Sequence, residues 1–151
     1  MLEIPKFYNF KSNIILINGI RIQGFGDEGG VEYEFADDAQ RHTSGADGQV
    51  TVSRVNDYRM IATFTVKETS TGYTILSALM QDQLAVTDRL NPLPYVHIDP
   101  VNGDLIRSSH AVFLTWPEPS KARDAGDREF QILLPNAAAE VIFGPRNVQL
   151  L

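Results

Sequence analysis

Residues that could carry out chemistry are few in this sequence, and their spacing does not match a known kind of site. The three histidines, His42, His97 and His110, lack the close spacing on rigid elements that a zinc site needs. The glycines in residues 24–30 satisfy the pattern G-x-G-x-x-G, but a dinucleotide-binding loop must be followed at once by a helix. Residues 31–35 instead alternate with period two, which predicts a strand. We therefore interpret the glycines as a turn between strands.

Acidic pairs such as Asp37 and Asp38 lie in polar segments and lack the register of a calcium loop. The chain has no cysteine, which excludes disulfides, thiolate metal sites and a cysteine nucleophile. It contains no G-x-S-x-G, Walker or H-E-x-x-H motif. A serine–histidine pair, whose members need not be close in sequence, is the one catalytic arrangement left open. We expect no enzyme activity, no cofactor and no metal.

Length and composition predict one globular domain over residues 1–151, large enough to bury a core. The formal net charge of -6 argues against tight binding to a nucleic-acid backbone, which needs clustered lysines and arginines. No apolar run approaches the roughly 20 residues that span a bilayer. The N-terminal residues lack the basic start and apolar block of a signal peptide. The expectation is a soluble protein that is not exported by the usual route and does not bind a membrane.

Residues 45–68 organise the predicted fold. They are interpreted as a turn, a strand, a second turn at Asn56-Asp57 and a second strand, which together make an antiparallel pair. In the second strand the apolar residues recur at every other position, so one face is predicted to pack and the other to be polar. These apolar residues are Tyr58, Met60, Ala62, Phe64 and Val66.

A helix is predicted over residues 73–85, where apolar residues recur at helical spacing, with Ser70 or Thr71 as its N-cap. It would cover the packed face of the strand pair. Further strands are predicted at residues 93–98, 105–107, 111–116 and 128–134. Residues 137–143 could form a short helix or a last strand, and the sheet-rich context with Val141-Ile142-Phe143 favours a strand with a short lead-in.

The dipeptide Asn18-Gly19 predicts a hairpin with a type I′ turn, since it separates two β-branched runs. Residues 14–17 are apolar on both faces, so this strand should be buried or lie at an interface. Three segments are predicted to lie outside the sheets: an extended arm at residues 1–12, and polar loops at 36–45 and 117–127.

The order of these features resembles the tail tube proteins of contractile-tailed, Mu-like bacteriophages, and the resemblance covers most of residues 8–90. It rests on Tyr8-Asn9-Phe10, the hairpin from Ile14 to Ile22 closing on Gly24-Phe25-Gly26-Asp27, the block Gly45-Ala46-Asp47-Gly48-Gln49-Val50-Thr51-Val52-Ser53-Arg54, the strand from Tyr58 to Val66, and the amphipathic helix. The block is the most specific part. The family is also similar in fold to the tube protein of type VI secretion.

The resemblance implies a mainly β fold, a β-sandwich or partly open barrel with one flanking helix. It implies a structural virion protein, assembled in the host bacterial cytoplasm, whose hexameric rings stack into the inner tail tube. A sheath protein would lie outside the tube. The tape measure protein and then genomic DNA would occupy its lumen, without sequence-specific DNA binding. An acidic chain suits this role because it repels the DNA that must pass.

Two sets of residues are predicted to serve assembly. The contacts between rings are expected from Asp37, Asp38, Gln40, Arg41, His42 and Asp47. The polar side of the strand pair is expected to face the lumen through Thr51, Ser53, Arg59, Thr63, Thr65 and Lys67.

Two alternatives stay open. The chain would serve equally as the tube of a type VI-like contractile secretion system, which differs in cargo and not in physics. A different class is a monomeric ligand-binding β-barrel or small enzyme, which predicts an apolar pocket and no self-association.

Overall fold

The computed structural model describes residues 9–26 and 29–144. A 3-10 helix at Phe10–Ser12 precedes the strands, and the longer helices are α1, Thr71–Ala85, and α2, Ala137–Glu140. The strands are β1 Ile14–Ile17, β2 Ile20–Arg21, β3 Gly30–Phe35, β4 Gln40–Ser44, β5 Val50–Arg54, β6 Met60–Lys67, β7 Leu93–Ile98, β8 Leu105–Phe113 and β9 Asp127–Leu134. Residues 114–126, between β8 and β9, form neither helix nor strand.

Seven of the strands form one antiparallel array in the order β2-β1-β7-β8-β9-β6-β3. The long strand β8 joins its two halves. It pairs with β7 from Leu105 to Ala111 and with β9 at Val112 and Phe113. We call β2, β1, β7 and the first part of β8 sheet A, and the end of β8, β9, β6 and β3 sheet B. The predicted β-sandwich or partly open barrel with one main flanking helix is confirmed.

The core lies between the two sheets. On β6 the residues Met60, Ala62, Phe64 and Val66 are buried and alternate with partly exposed residues, as the sequence predicted. Phe64 lies beside Phe130 in the register of β6 with β9, and its ring contacts Tyr95 of sheet A at 6.2 Å. Aromatic side chains therefore fill the space between the sheets.

Helix α1 confirms the predicted amphipathic helix. It begins after Ser70, whose Oγ accepts a hydrogen bond from the backbone N–H of Tyr73 at 3.2 Å. Its buried residues include Leu76, Leu79 and Met80, which cover one end of the core. Gly72 lets the helix approach the chain closely, because a Cβ there would lie 2.9 Å from the carbonyl oxygen of Gly24.

A line of polar side chains links β3 of sheet B to β7 of sheet A. These two strands are not neighbours in the strand order, so only side chains connect them here. The Tyr33 hydroxyl is hydrogen-bonded to the Tyr95 hydroxyl and to Nδ1 of His97. Nε2 of His97 donates to Oδ1 of Asn13 at 2.8 Å. Burial lowers the pKa of His97, which favours the neutral ring that can accept at Nδ1.

The predicted hairpin at Asn18-Gly19 is confirmed. Both residues have positive φ, 54° and 77°, and Ile17 lies opposite Ile20. The extended arm predicted at residues 1–12 is wrong where it can be compared, because Phe10–Ser12 form a 3-10 helix. Residues 1–8 and Asp27 lie outside the described residues.

Strand pairing differs from the prediction in the middle of the chain. The strand at residues 50–54 pairs with β4, and β6 pairs with β3 and β9, so the predicted β5–β6 pair is wrong. Alternation shows which face of a strand is apolar, but it does not identify the neighbouring strand. The predicted loop at residues 36–45 is also wrong in part, since residues 40–44 are β4.

Two smaller predictions are corrected as well. The segments at residues 105–107 and 111–116 belong to a single strand that ends at Phe113. At residues 137–143 the favoured strand is wrong and the alternative, a short helix, is found as α2, where the high helix propensity of three consecutive alanines prevails. Beyond α2, Ile142 makes a single antiparallel bridge with Leu105.

Candidate assembly surfaces

The β4–β5 hairpin leaves the body of the domain. The chain runs out from the end of β3, through β4 and β5, and returns to β6, which pairs with β3. At about 3.3 Å per residue, the five-residue strands extend the ribbon by roughly 16 Å. Every residue of both strands is exposed, and Val50 and Val52 are 63% and 59% exposed. Because a two-stranded hairpin is only marginally stable by itself in water, this ribbon is suited to binding a further surface.

Four of the six residues predicted for ring contacts lie on this ribbon, and the other two lie at its base. Two acids precede β4, three residues lie on it, and one lies in the turn: Asp37, Asp38; Gln40, Arg41, His42; Asp47. The carboxylate of Asp37 accepts hydrogen bonds from the Asp38 N–H at 2.8 Å and from the Arg41 guanidinium at 2.6 Å, which lower its pKa. In the turn, Oδ1 of Asp47 accepts from the Gln49 N–H at 3.1 Å.

The six residues predicted for the lumen do not form one surface. Thr51 and Ser53 lie on β5 of the hairpin, away from β6. Arg59 precedes β6 and is paired with Asp57. Only the three residues on β6 lie on a common face, the outer face of sheet B: Thr63, Thr65 and Lys67. The difference arises because β5 and β6 are not neighbours.

Arg59 is held by Asp57 in a bidentate contact. The Arg59 Nε and terminal nitrogen donate to the two carboxylate oxygens of Asp57 at 2.9 and 2.7 Å, and the Arg59 backbone N–H donates at 3.2 Å. These hydrogen bonds, chiefly those from the guanidinium, lower the pKa of Asp57 to about 2. The Arg59 side chain is thereby directed to the base of the hairpin.

We predict that Asp57 titrates near pH 2 in the folded protein, measured as the pH dependence of its carboxyl carbon NMR shift. Arg59→Ala should raise its pKa toward 3.8, the ordinary value, whereas Lys67→Ala should leave it unchanged. Because the folded pKa lies below the unfolded one, the contribution of Asp57 to stability is present above about pH 4 and is lost as the pH falls toward 2. A parent pKa near 3.8 would contradict the contact.

A groove of about 500 Å³ lies at the base of the hairpin. Its apolar lining comes from the end of β3, the return to β6 and the chain around α2, with the rings of Phe35 and Phe143 6.2 Å apart. Asp37, Asp38 and Asp57 also line the groove. The groove therefore offers an apolar floor with an acidic edge.

The outer face of sheet B carries an aliphatic row of Val112, Leu133 and Ile61 at one end, and the rest of the face is polar and mainly acidic. Cross-strand register places Glu32 beside Thr63, Thr65 beside Glu129 and Lys67 beside Asp127. Glu34 lies on the same face and, like the other acids, is exposed. Four carboxylates accompany one lysine here, so the face carries net negative charge.

The outer face of sheet A carries a larger aliphatic group. Register aligns Ile14, Ile98 and Leu105 in one row across β1, β7 and β8, and aligns Leu16 with Val96 in the next. Ile98 is 39% exposed and the other four are partly exposed. Because β1 is apolar on both faces, the sequence indicated that its outer face lies at an interface. Alternate residues of β7, Val96 and Ile98, are apolar on this outer face as well. We call these five residues the sheet A patch.

The histidines serve different environments. His42 is exposed on β4, and His97 belongs to the buried polar line described above. Nδ1 of His110 is hydrogen-bonded to the Ser109 hydroxyl at 2.6 Å, and both residues are exposed on β8. Within residues 9–26 and 29–144 no carboxylate orients His110, which a catalytic triad would require.

Within the part of the chain that the structure describes, no group of three or more His, Asp or Glu side chains is arranged to hold a metal ion. The helices in these same ranges are too short or too polar to cross a membrane.

No protein-family model matches this chain, and no curated protein matches it in sequence. Its fold is similar to that of two solved structures. One is the sheath/tube terminator, in the extended state, of PVC, an extracellular contractile injection system, with a TM-score of 0.58 and 11% identity over 96% of this chain and 100% of that chain. The other is the tube terminating cap of the anti-feeding prophage, with a TM-score of 0.60 and 6% identity over 95% of this chain and 94% of that chain. This chain thus shares its fold with these two tube-terminating proteins of contractile injection systems.

Proposed function

We propose that this chain is a structural protein that self-associates at the tube of a contractile, phage-tail-like particle. The observation that carries the proposal is the β4–β5 hairpin. Ten exposed residues, two of them valines, project from a domain whose fold is that of tube terminators. An isolated ribbon of this kind gains stability only by packing on another surface. The role is that of a building block and not of an enzyme.

Ring formation is supported by the ends of the strand array. Within the described residues, β2 and β3 each have a strand neighbour on one side only. Exposed strand edges favour association, and closing them across copies removes the unpaired backbone groups. Six copies per ring is the number that the resemblance to tail tube proteins implies, and we propose it for this chain.

The outer face of sheet B is the surface that we propose for the lumen. It carries Thr63, Thr65 and Lys67 from the predicted set, together with acids such as Glu32 and Glu129. Its net negative charge would repel a nucleic-acid backbone, so DNA could pass without binding. In this arrangement Thr51 and Ser53 lie on the hairpin and Arg59 lies at its base, so these three residues are outside the lumen surface.

The particle that we propose is a phage tail. In it, a sheath protein surrounds the tube, the tape measure protein and then genomic DNA occupy the lumen, and the virion is assembled in the host bacterial cytoplasm. A tube of a type VI-like secretion system has the same physical requirements. Sheath and tape measure genes beside the gene for this chain would identify the phage tail, and a secretion ATPase gene would identify the secretion system.

A second candidate is a tube terminator, which both similar structures favour by their described roles. A terminator would form one ring at the end of a tube built from another protein. A tube protein would stack its own rings without limit. Both candidates form the same kind of ring. They differ in whether a second ring of the same protein can stack on the first.

The experiment is negative-stain electron microscopy of the purified protein, with sedimentation on the same sample over a range of concentrations. We expect six-fold rings with an open lumen, whose fraction rises with concentration by mass action. Stacked tubes would identify a tube protein, and single rings would identify a terminator. A monomer at every concentration would refute both candidates and favour the ligand-binding barrel.

A further inference from the structure

We infer that the sheet A patch is the docking surface for the β4–β5 hairpin of a second copy of this chain. The inference rests on the proposed function, because it presupposes that copies associate. It names the surface that receives the hairpin and the side chains that meet there.

The shape of the sheet A patch suits a two-stranded ribbon. Its five aliphatic side chains span β1, β7 and β8. Neighbouring strands lie about 4.8 Å apart, so the patch is roughly 10 Å wide. A β-hairpin is one such spacing wide between strand axes and packs about 10 Å above a sheet. The hairpin can therefore lie across the patch as a second layer.

One face of the hairpin carries two apolar side chains that could match the patch. Val50 and Val52 lie there opposite Ser44 and His42, and the pair Gln40 and Arg54 lies on the same face at the base of the ribbon. Both valines are more than half exposed, so the protomer alone leaves them in water. Packing them against the aliphatic side chains of sheet A removes apolar area from water on both surfaces.

Charge favours this pairing at the turn end of the hairpin, whereas Arg54 lies at the opposite end of the ribbon. The row that contains Leu16 and Val96 is flanked by Arg21 on β2 and Arg107 on β8. Arg21 has no ion pair within residues 9–26 and 29–144, and Arg107 has only a contact of 3.5 Å with Glu140 in which both side chains are at least half exposed. Asp47 at the hairpin turn supplies a carboxylate for such an arginine. On the acidic outer face of sheet B the same carboxylate would meet like charge.

A second copy is the occupant because both halves of the contact are on this chain. Hairpin and patch are different surfaces, so the contact is heterologous, and it propagates from copy to copy into a ring or a stack. A self-complementary dimer would instead use the same surface twice.

The test exploits the absence of cysteine. Val52→Cys on the hairpin and Val96→Cys on the patch are made as separate full-length variants, mixed, and mildly oxidised. We expect at least about tenfold more disulfide-linked dimer from the mixture than from either variant alone. The matched control mixes Val52→Cys with Ala78→Cys, an exposed position on α1. Leu16→Cys replaces Val96→Cys if that variant does not fold, and mass spectrometry identifies the linked peptides.

The outcomes separate this inference from the proposed function. If the parent protein forms rings and neither patch variant links to Val52→Cys above the control, the inference is wrong and the ring proposal stands. If the parent protein is a monomer and no link forms, both are wrong. Dimers of Val52→Cys with itself at the level of the mixture would mean a self-complementary contact and would also overturn the inference.

Discussion

Removal of residues 40–54 is expected to leave a folded domain that no longer assembles. The hairpin can be excised cleanly because Ala39 and Val55 are already adjacent, with the Val55 N–H donating to the Ala39 carbonyl at 3.0 Å. In the deletion variant, a new Asn-Gly dipeptide connects Ala39 to Val55, because Asn-Gly forms the two-residue turn that joins antiparallel strands. The ladder between β3 and β6 then continues into a short turn.

The stability of the shortened chain should be close to that of the parent. All ten strand residues that are removed are exposed, so no core contact is lost. We expect the free energy of unfolding to change by less than about 1 kcal/mol, measured by urea denaturation. Association should fall at least about a hundredfold in sedimentation, which corresponds to about 2.7 kcal/mol of contact energy.

A matched pair of point variants distinguishes loss of the apolar contact from loss of the ribbon. The double variant Val50→Thr/Val52→Thr keeps β-branched side chains but adds hydroxyls, so it should weaken assembly. The double variant Val50→Ile/Val52→Ile keeps the surface apolar and should assemble like the parent. Rings or tubes of normal length from the deletion variant would refute the role of the hairpin.

The substitution Gln83→Met is expected to destabilise the domain by about 3–5 kcal/mol. Gln83 is 3% exposed on α1 and makes three hydrogen bonds to backbone groups. Its Nε2 donates to the carbonyls of Asn91 at 2.8 Å and Ala111 at 3.1 Å, and its Oε1 accepts from the Phe113 N–H at 2.8 Å. A methionine of similar size fills the space and leaves all three backbone groups without this partner.

The location explains the size of the effect. At Ala111 and Phe113 the strand β8 leaves its ladder with β7 and begins its ladder with β9. Gln83 therefore replaces strand partners where sheet A turns into sheet B, and each buried group left unpaired costs about 1–3 kcal/mol. Since domains of this kind are stable by about 5–15 kcal/mol, the loss is a large share of the total.

Urea denaturation of Gln83→Met and of Gln81→Met measures the difference directly. Gln81 is exposed on the same helix, so its replacement should change the free energy of unfolding by less than about 0.5 kcal/mol. If the two variants unfold at the same urea concentration, α1 does not support the turn between the sheets through Gln83.

For residues 36–45, the sequence predicted correctly that the segment is polar and outside the core, but it did not predict that residues 40–44 pair with residues 50–54. Residues 36–45 were recognisable as polar and exposed because they lack apolar periodicity. Their pairing with residues 50–54 was not recognisable, because His42 and Val52 face each other across a ribbon with no apolar side turned to the core. Residues 40–44 contain no apolar residue, so the period-two pattern that indicates a strand is missing from this half of the ribbon.

Three local features of this protein followed from the sequence. Period-two burial on β6, the turn at Asn18-Gly19 and the Ser70 cap of α1 depend on neighbouring residues alone, through side-chain direction, backbone φ and a local hydrogen bond. Apart from the β1–β2 hairpin, the partner of each strand was visible only in the folded chain. Backbone hydrogen bonds are the same for every strand, so pairing is selected by how distant apolar faces fit together. For that reason only the folded chain revealed that β6 lies between β3 and β9, that the outer face of sheet B is acidic, and that five aliphatic residues from β1, β7 and β8 meet on the outside of sheet A.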